Sequence, residues 1–335
     1  MDAIVLAGGF ATRLWPITRN RPKMFLPIGD TLVIDRIFRE LEADDRIDDV
    51  YVSTNQEFAE EFQDHIDESR FEKPRLSVED AREEGEKFGV IGALAELVER
   101  EGLDSDTLVI AGDNLISFPL SDFIDEFVDN DATTLAAYDV GDIELATQYG
   151  VIAVDGDRVT DFQEKPDDPP STLVSIACYA FPAETVALMP TYLEGDNNPD
   201  EPGWFIQWLV EREPVYAYPF FDQWFDIGTP ESYLDAVAWY LDGGTLIHPD
   251  ATIRNSDIGK NVHVMAGAKI TNSMIENSVI FEDVHLDSCQ ITSSIIDQET
   301  ILEDVSLSHA QIGAYTSLTQ ERPPAWEWER YRDSE

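Results

Sequence analysis

Two consecutive glycines followed by spaced cations open this chain. In LAGGFATRLWPITRNRPKMFLP, residues 6 to 27, Gly8 and Gly9 lead into Arg13, Arg19, Arg21 and Lys23. A glycine carries no Cβ, so a phosphate or a base can approach its backbone, and neighbouring N–H groups can form an anion-binding nest. Arg13 can grip phosphate oxygens in bidentate fashion, while Lys23, two residues past Arg21, adds a compact point charge. Asp2 is the sole acid against these four bases in the first 29 positions, in a chain of 68 acids, 22 bases and net charge −46. Such an island of positive charge marks an anion site, and the arrangement suits a triphosphate. The segment is neither GxxxxGK[ST] nor GxGxxG, so neither a P-loop nor a dinucleotide fingerprint is supported.

Other residues with chemical potential are scattered. Asp113, in AGDN, ends an apolar run, a position that also suits a helix cap. Glu164-Lys165-Pro166 read alone is a charged turn. Asp226 lies in WFDIGTP, where Thr229-Pro230 can start a helix. Cys178 and Cys289 are far apart, in no CxxC or Cys/His cluster, and read as buried small hydrophobes without disulfide or structural zinc. His65 falls on an acidic helix and His248, His263, His285 and His309 in the last third of the chain, all expected as surface or turn residues.

The elements that must position these residues alternate at first. Ile4 to Ala7 is an apolar run, and the next segment places Ile34, Ile37, Phe38 and Leu41 at helical spacing. Val50 to Thr54, a helix with Phe58, Phe62 and Ile66, Arg75 to Glu79, a helix from about Val90 to Arg100, and Thr107 to Ala111 follow. This order predicts an α/β, Rossmann-like, mainly parallel sheet covered on both faces, with ligands at the carboxyl ends of strands, where both AGGFATR and AGDN fall. From 132 to about 181 the pattern is strand-rich. Helices return at about 183 to 189, 203 to 211 and Pro230 to Leu241, and Gly243-Gly244 marks a boundary.

Beyond 245 an aliphatic residue recurs every five or six positions: Ile247, Ile253, Ile258, Val264, Ile270, Ile275, Ile280, Leu286, Ile291, Ile296, Ile301, Leu307 and Ile312. With Asn, Asp, Ser and Gly between them, these hexapeptide repeats predict a short left-handed parallel β-helix with each aliphatic pointing inward. The expected organisation is a catalytic domain over 1–242, a β-helix over 245–320 and a polar tail over 321–335.

At these residues the chain resembles the sugar-phosphate nucleotidyltransferases, which make nucleotide-sugars from an NTP and a sugar 1-phosphate. The family signature LAGGxGTRLxPxTxxxPKxxLP matches from Leu6 to Pro27, with Ala11 in place of the usual third glycine. GVIGAL at Gly89 to Leu94 is similar to a GTAGAL segment whose glycines lie against the base. Asp113 resembles a metal-binding aspartate, Tyr149-Gly150-Val151 with Glu164-Lys165-Pro166 a sugar-phosphate subsite, and WFDIGTP the WxDIGTP motif. Ala177 stands where relatives have glycine.

The resemblance implies nucleotide contacts from Leu6, Ala7, Gly8, Gly9, Arg13, Lys23, Gly89, Gly112 and Asp113. It also implies sugar-phosphate contacts from Tyr149, Gly150, Glu164 and Lys165, and Mg²⁺ or another hard divalent cation on Asp113 and Asp226. The catalytic set is then Arg13, Lys23, Asp113, Lys165 and Asp226. The pattern is similar to that of glucose-1-phosphate thymidylyl- and uridylyltransferases, so dTTP or UTP with glucose 1-phosphate is the expected pairing. Two other readings stay open: a bifunctional enzyme whose β-helix transfers acyl groups, and a non-catalytic regulatory subunit. The solenoid also favours a homo-oligomer.

The acids are dispersed over almost every helix, with no long single-sign block and no DxDxDG loop, which argues against an acidic tail or EF-hands. No apolar stretch approaches a membrane span and MDAIVLAGG lacks a cationic leader, so a cytoplasmic protein without membrane or nucleic-acid partners is expected. The charge distribution reads as adaptation to a high-salt medium. Melting temperature and activity are expected to rise between roughly 0.1 M and 2 M KCl, as the Debye length falls from about 10 Å to below 3 Å. Equal stability at both concentrations would remove this reading.

Overall fold

The computed structural model describes residues 1–9, 11–79, 89–195 and 197–319. The expected tail, and most of the segment between Glu79 and Gly89, lie outside them. By contacts the chain forms two compact units, one of residues 1–10, 21–27 and 31–227, the other of 11–20, 28–30 and 228–335.

The first unit is built on a nine-stranded sheet. Its order is Pro74–Val78, Val50–Thr54, Asp2–Leu6, Thr107–Ala111, Leu173–Phe181, Thr133–Asp139, Val215–Phe220, Arg158–Glu164 and Gly150–Asp155. The first four strands are mutually parallel, and Leu173–Phe181 joins them antiparallel. Alternate residues of one strand serve opposite faces: Ala3 and Val5 pack with Ile34, Ile37, Phe38 and Leu41 of the helix Val33–Ala43. Ile4 instead packs with Ile91, Leu94 and Leu97 of the helix Gly89–Glu101. Burial on both faces is why these strands read as continuous apolar runs rather than alternating ones. The stretch expected as one helix at 183 to 189 is two, Ala183–Val186 and Met189–Glu194, the second with Pro190 in its first turn.

The second unit contains the left-handed β-helix, with parallel sheets of five, five and four strands. Its corners use left-handed backbone at Asn255, Asn261, Asn272, Asn277, Asp283, Ser288 and Ser293 among others. Asn and Asp adopt that conformation more readily than most residues, which accounts for the polar residues between the aliphatics. The inward phase holds for Val264, Ile270, Ile275, Ile280, Leu286, Ile291 and Ile296. It fails at Ile301, which is 42% exposed while Leu302 is 0%. Leu302 lies opposite Leu286, as Leu286 lies opposite Ile270, at the same spacing along the chain, so the inward column continues through Leu302 and Ile301 is its outward neighbour. Ile247 lies beside Val264 in the first coil and is 39% exposed, with no earlier strand beyond it in that sheet.

Candidate functional site

The site of the first unit starts from one register. Leu6 pairs with Ala111 in adjacent parallel strands, so the chain leaves both at the same edge, and the Gly112 N–H donates to the Leu6 carbonyl at 2.9 Å. A side chain at Gly112 would meet the Leu6 carbonyl at 3.1 Å and the Met24 Cγ at 3.2 Å, so this turn is as tight as its glycine allows. Ala7 and Gly8 are anchored from the next strand: the Thr54 hydroxyl donates to the Ala7 carbonyl at 3.3 Å and the Asn55 amide to the Gly8 carbonyl at 2.9 Å. Those acceptors are satisfied within the protein, and the Ala7 N–H donates to the Ser53 carbonyl at 2.7 Å, so the neighbouring strand fixes the entry to the glycine loop. Gly9 has open space on the side where a Cβ would stand.

Lys23 and Asp113 form an ion pair, their side chains only 14% and 12% exposed. The resemblance assigned them to different groups, a phosphate and a metal ion. Without ligands the ammonium sits on the carboxylate, the disposition expected of opposite charges removed from most of the solvent. Asp226 comes to the same place from 113 residues further along the chain. Trp224–Asp226 runs antiparallel to Asn114–Ile116 with Asp226 opposite Asn114, and the Ile227 N–H donates to the Asp113 carbonyl at 3.1 Å. The backbone thus sets Asp226 beside Asp113, and carboxylates of two such residues could hold a hard divalent cation that keeps its other positions for phosphate oxygens and water. Among the described residues no group of three or more His, Cys, Asp or Glu could hold a metal by itself.

Asn114 and Trp224 join the aspartates to the expected sugar-phosphate residues. The Trp224 indole donates to Asn114 Oδ1 at 3.0 Å, and its ring meets Tyr149 edge-on at 5.1 Å. The Lys165 N–H in turn donates to the Tyr149 carbonyl at 3.1 Å. Lys165 has φ +45° and its ammonium is paired with Glu201, with Glu164 at 4.0 Å. Glu164 is 6% exposed, nested where Gly150 and Gly203 lack side chains. Burial pushes its carboxyl up to about 7, with Lys165 pulling it down and Glu201 raising it. Sequence reasoning missed Glu201 and Gly203, because neither belongs to a motif and both act across the fold.

Other positions named from the sequence carry structural constraints of their own. A side chain on Gly89, at φ +72°, would collide with the backbone of Pro199 and lie 2.8 Å from the Asp200 nitrogen, so chain packing alone requires glycine there. Ala11 and Ala177, the two positions where the family pattern has glycine, have φ +48° and +53°. A Cβ in that region costs about 1–2 kcal/mol, which explains the glycines of the pattern and leaves this chain strained at both places. His263 is 6% exposed, contrary to its expected surface position, and burial pushes its pKa down to about 4, with Asp30 acting the other way. Arg13 lies in the second unit on an exposed 3₁₀ turn, Thr12–Leu14.

Glu164 makes a pH-dependent contribution. Its folded-state pKa is raised from 4.5 to about 7, so its stability contribution is full below the unfolded value and is lost as pH rises through 7. The loss is on the order of 3 kcal/mol. Glu164→Gln is expected to flatten the decline in melting temperature across that window; an unchanged slope would assign the decline to other groups.

The family model for nucleotidyl transferases matches residues 2–243. A Sulfolobus acidocaldarius protein provisionally named mannose-1-phosphate guanyltransferase is 29% identical over 289 residues, covering 82% of this chain and 76% of that one. The bifunctional protein GlmU of Methanococcus aeolicus is 26% identical, over 84% of this chain but 61% of its own length. Among solved structures, a Bacillus anthracis protein provisionally named glucose-1-phosphate thymidylyltransferase superposes with a TM-score of 0.63 at 24% identity, covering 72% of this chain and 95% of that one. This last likeness speaks for the fold. The chain belongs to the nucleotidyl transferase family and is a sugar-phosphate nucleotidyltransferase.

Proposed function

We propose that Lys23, Asp113, Asp226 and Lys165, with Arg13 from the same signature, carry the transfer of a nucleotidyl group to a sugar 1-phosphate. The observation that supports this most is the convergence of Lys23, Asp113 and Asp226 beside the Gly8-Gly9 loop. A phosphate oxygen of the sugar 1-phosphate attacks the α-phosphorus of the NTP, the bond from that phosphorus to the β-phosphate oxygen breaks, and pyrophosphate leaves. Both reactants are anions, so the work of the protein is positioning and charge neutralisation. Gly8 and Gly9 admit the nucleotide, Arg13 and Lys23 neutralise charge moving onto the leaving pyrophosphate, and Lys165 orients the attacking phosphate. Asp113 and Asp226 would hold a Mg²⁺ ion, which would supply further charge neutralisation for the anionic reactants. The attacking phosphate is already ionised, so no protein base is needed.

A neighbour of Gly8 supports a reading of the base. Glu79 Oε1 lies 2.8 Å from where a Gly8 side chain would begin, and Ser53 donates to it at 3.4 Å. A carboxylate is acceptor-only. The pairing edge of guanine offers two adjacent N–H donors, whereas uracil and thymine offer one N–H between two carbonyls that a carboxylate repels. With a relative named for guanylyl transfer, this favours GTP over the dTTP or UTP that the sequence pattern brought forward. Mannose and glucose 1-phosphate are both candidates for the acceptor.

The test is pyrophosphate release at high salt with GTP, dTTP, UTP, ATP and CTP against both sugar phosphates. Release is expected only with Mg²⁺ and sugar 1-phosphate together, fastest with GTP, and reduced about 10²-fold or more by Asp226→Asn or Lys23→Ala. Glu79→Gln is expected to narrow the preference for GTP. Unchanged rates in the Asp226 and Lys23 variants would refute the site, and a preference for dTTP or UTP would refute the base assignment.

A further inference from the structure

One column of the β-helix faces away from the solenoid interior but is not exposed. It runs through Leu246, His263, Val279, Ile295 and Gln311, neighbours in successive coils. Val279 and Ile295 are 0% exposed. Left bare, such a column would be an apolar patch on the solenoid surface. The same unit supplies its cover: the helix Pro230–Leu241 packs on the strand Val262–Val264. Residues 11–20 dock further along. Leu14, Ile17 and Thr18 are buried, and the Pro16 ring stands 2.9 Å from where a side chain on Gly313 would begin. The Gln311 amide, oriented to satisfy its surroundings, donates to the carbonyls of Leu14 at 3.2 Å and Trp15 at 3.3 Å. These are the two residues that follow Arg13. The Thr18 hydroxyl closes the segment on itself by donating to the Ala11 carbonyl at 2.9 Å.

We infer that the β-helix shapes the Arg13 segment, with Gln311 and Gly313 as positioning residues that hold it in its binding conformation. This rests on the role proposed for Arg13. A segment ordered before the ligand arrives loses less conformational entropy on binding, so its restraint is read in nucleotide affinity. Gln311 holds two successive carbonyls, and the bare Gly313 lets the Pro16 ring seat. Neither touches substrate in this account; both act through the backbone that follows Arg13.

Two variants test this by different routes. Gln311→Glu keeps the side-chain size but replaces both N–H donors with acceptors, and Gly313→Ala pushes against Pro16. Each is measured in the full-length protein by trypsin cleavage after Arg13 and Arg19 and by steady-state kinetics with the NTP turned over fastest in the panel. Faster cleavage is expected, together with a KM for the NTP raised about three- to tenfold and an unchanged KM for the sugar 1-phosphate. A KM for the NTP unchanged in both variants, whatever the cleavage rate, overturns the inference. Arg13→Ala without effect on NTP kinetics would instead overturn the reading on which it rests.

Discussion

The parallel pairing of Leu6 with Ala111 is the constraint from which the site grows. Adjacent parallel strands release their chains at the same edge, and here one chain continues into Gly8-Gly9 and the other into Gly112-Asp113. Everything else at the site is brought to that edge by longer routes. Lys23 arrives along the signature, Asp226 arrives on a short strand paired with Asn114–Ile116, and Trp224 ties the aspartates to Tyr149 and Lys165. Moving that register by one residue would turn Ile4 toward the helix that Val5 now faces, so core packing fixes the position of the chemistry.

Charge is the second organising term. A chain of net −46 that handles two phosphorylated substrates must separate its acids from its anion site. It does so by pairing. The acids nearest the candidate site are engaged: Asp113 with Lys23, Glu201 with Lys165, and Glu164 by burial that favours its neutral form. On the roles proposed above, a phosphate would replace Glu201 on Lys165 and a metal ion would replace Lys23 on Asp113. The pairs hold these cations in place and neutralise the acids beside them.

Local patterns made much of this legible. The apolar spacing of Ile34, Ile37, Phe38 and Leu41 placed a helix found at Val33–Ala43, and Thr229-Pro230 marked a helix start that the structure caps with a reciprocal Thr229–Ser232 box. The signature pointed to Lys23 and the AGDN segment to Asp113, but neither to their pairing, because the contact spans 90 residues. Glu201, Gly203 and Glu79 were silent in the sequence for the same reason: a carboxylate or a glycine acquires meaning from what faces it. The phase of the β-helix was legible except where two aliphatics stand side by side: Ile301 and Leu302 both fit a spacing of five or six, and only the ladder with Leu286 turns Leu302 inward. His263 looked like a surface residue because the segment and helix that cover its column come from distant parts of the chain.

The most direct test of the central account is the affinity of the unliganded protein for Mn²⁺, a paramagnetic substitute for Mg²⁺, in wild type, Lys23→Met and Asp226→Asn. If Lys23 occupies the carboxylate that the metal needs, removing the ammonium tightens Mn²⁺ binding about tenfold or more, and removing the second carboxylate weakens it by a similar factor. Equal affinity in all three proteins would contradict the claim that Lys23, Asp113 and Asp226 form one exchangeable charge site.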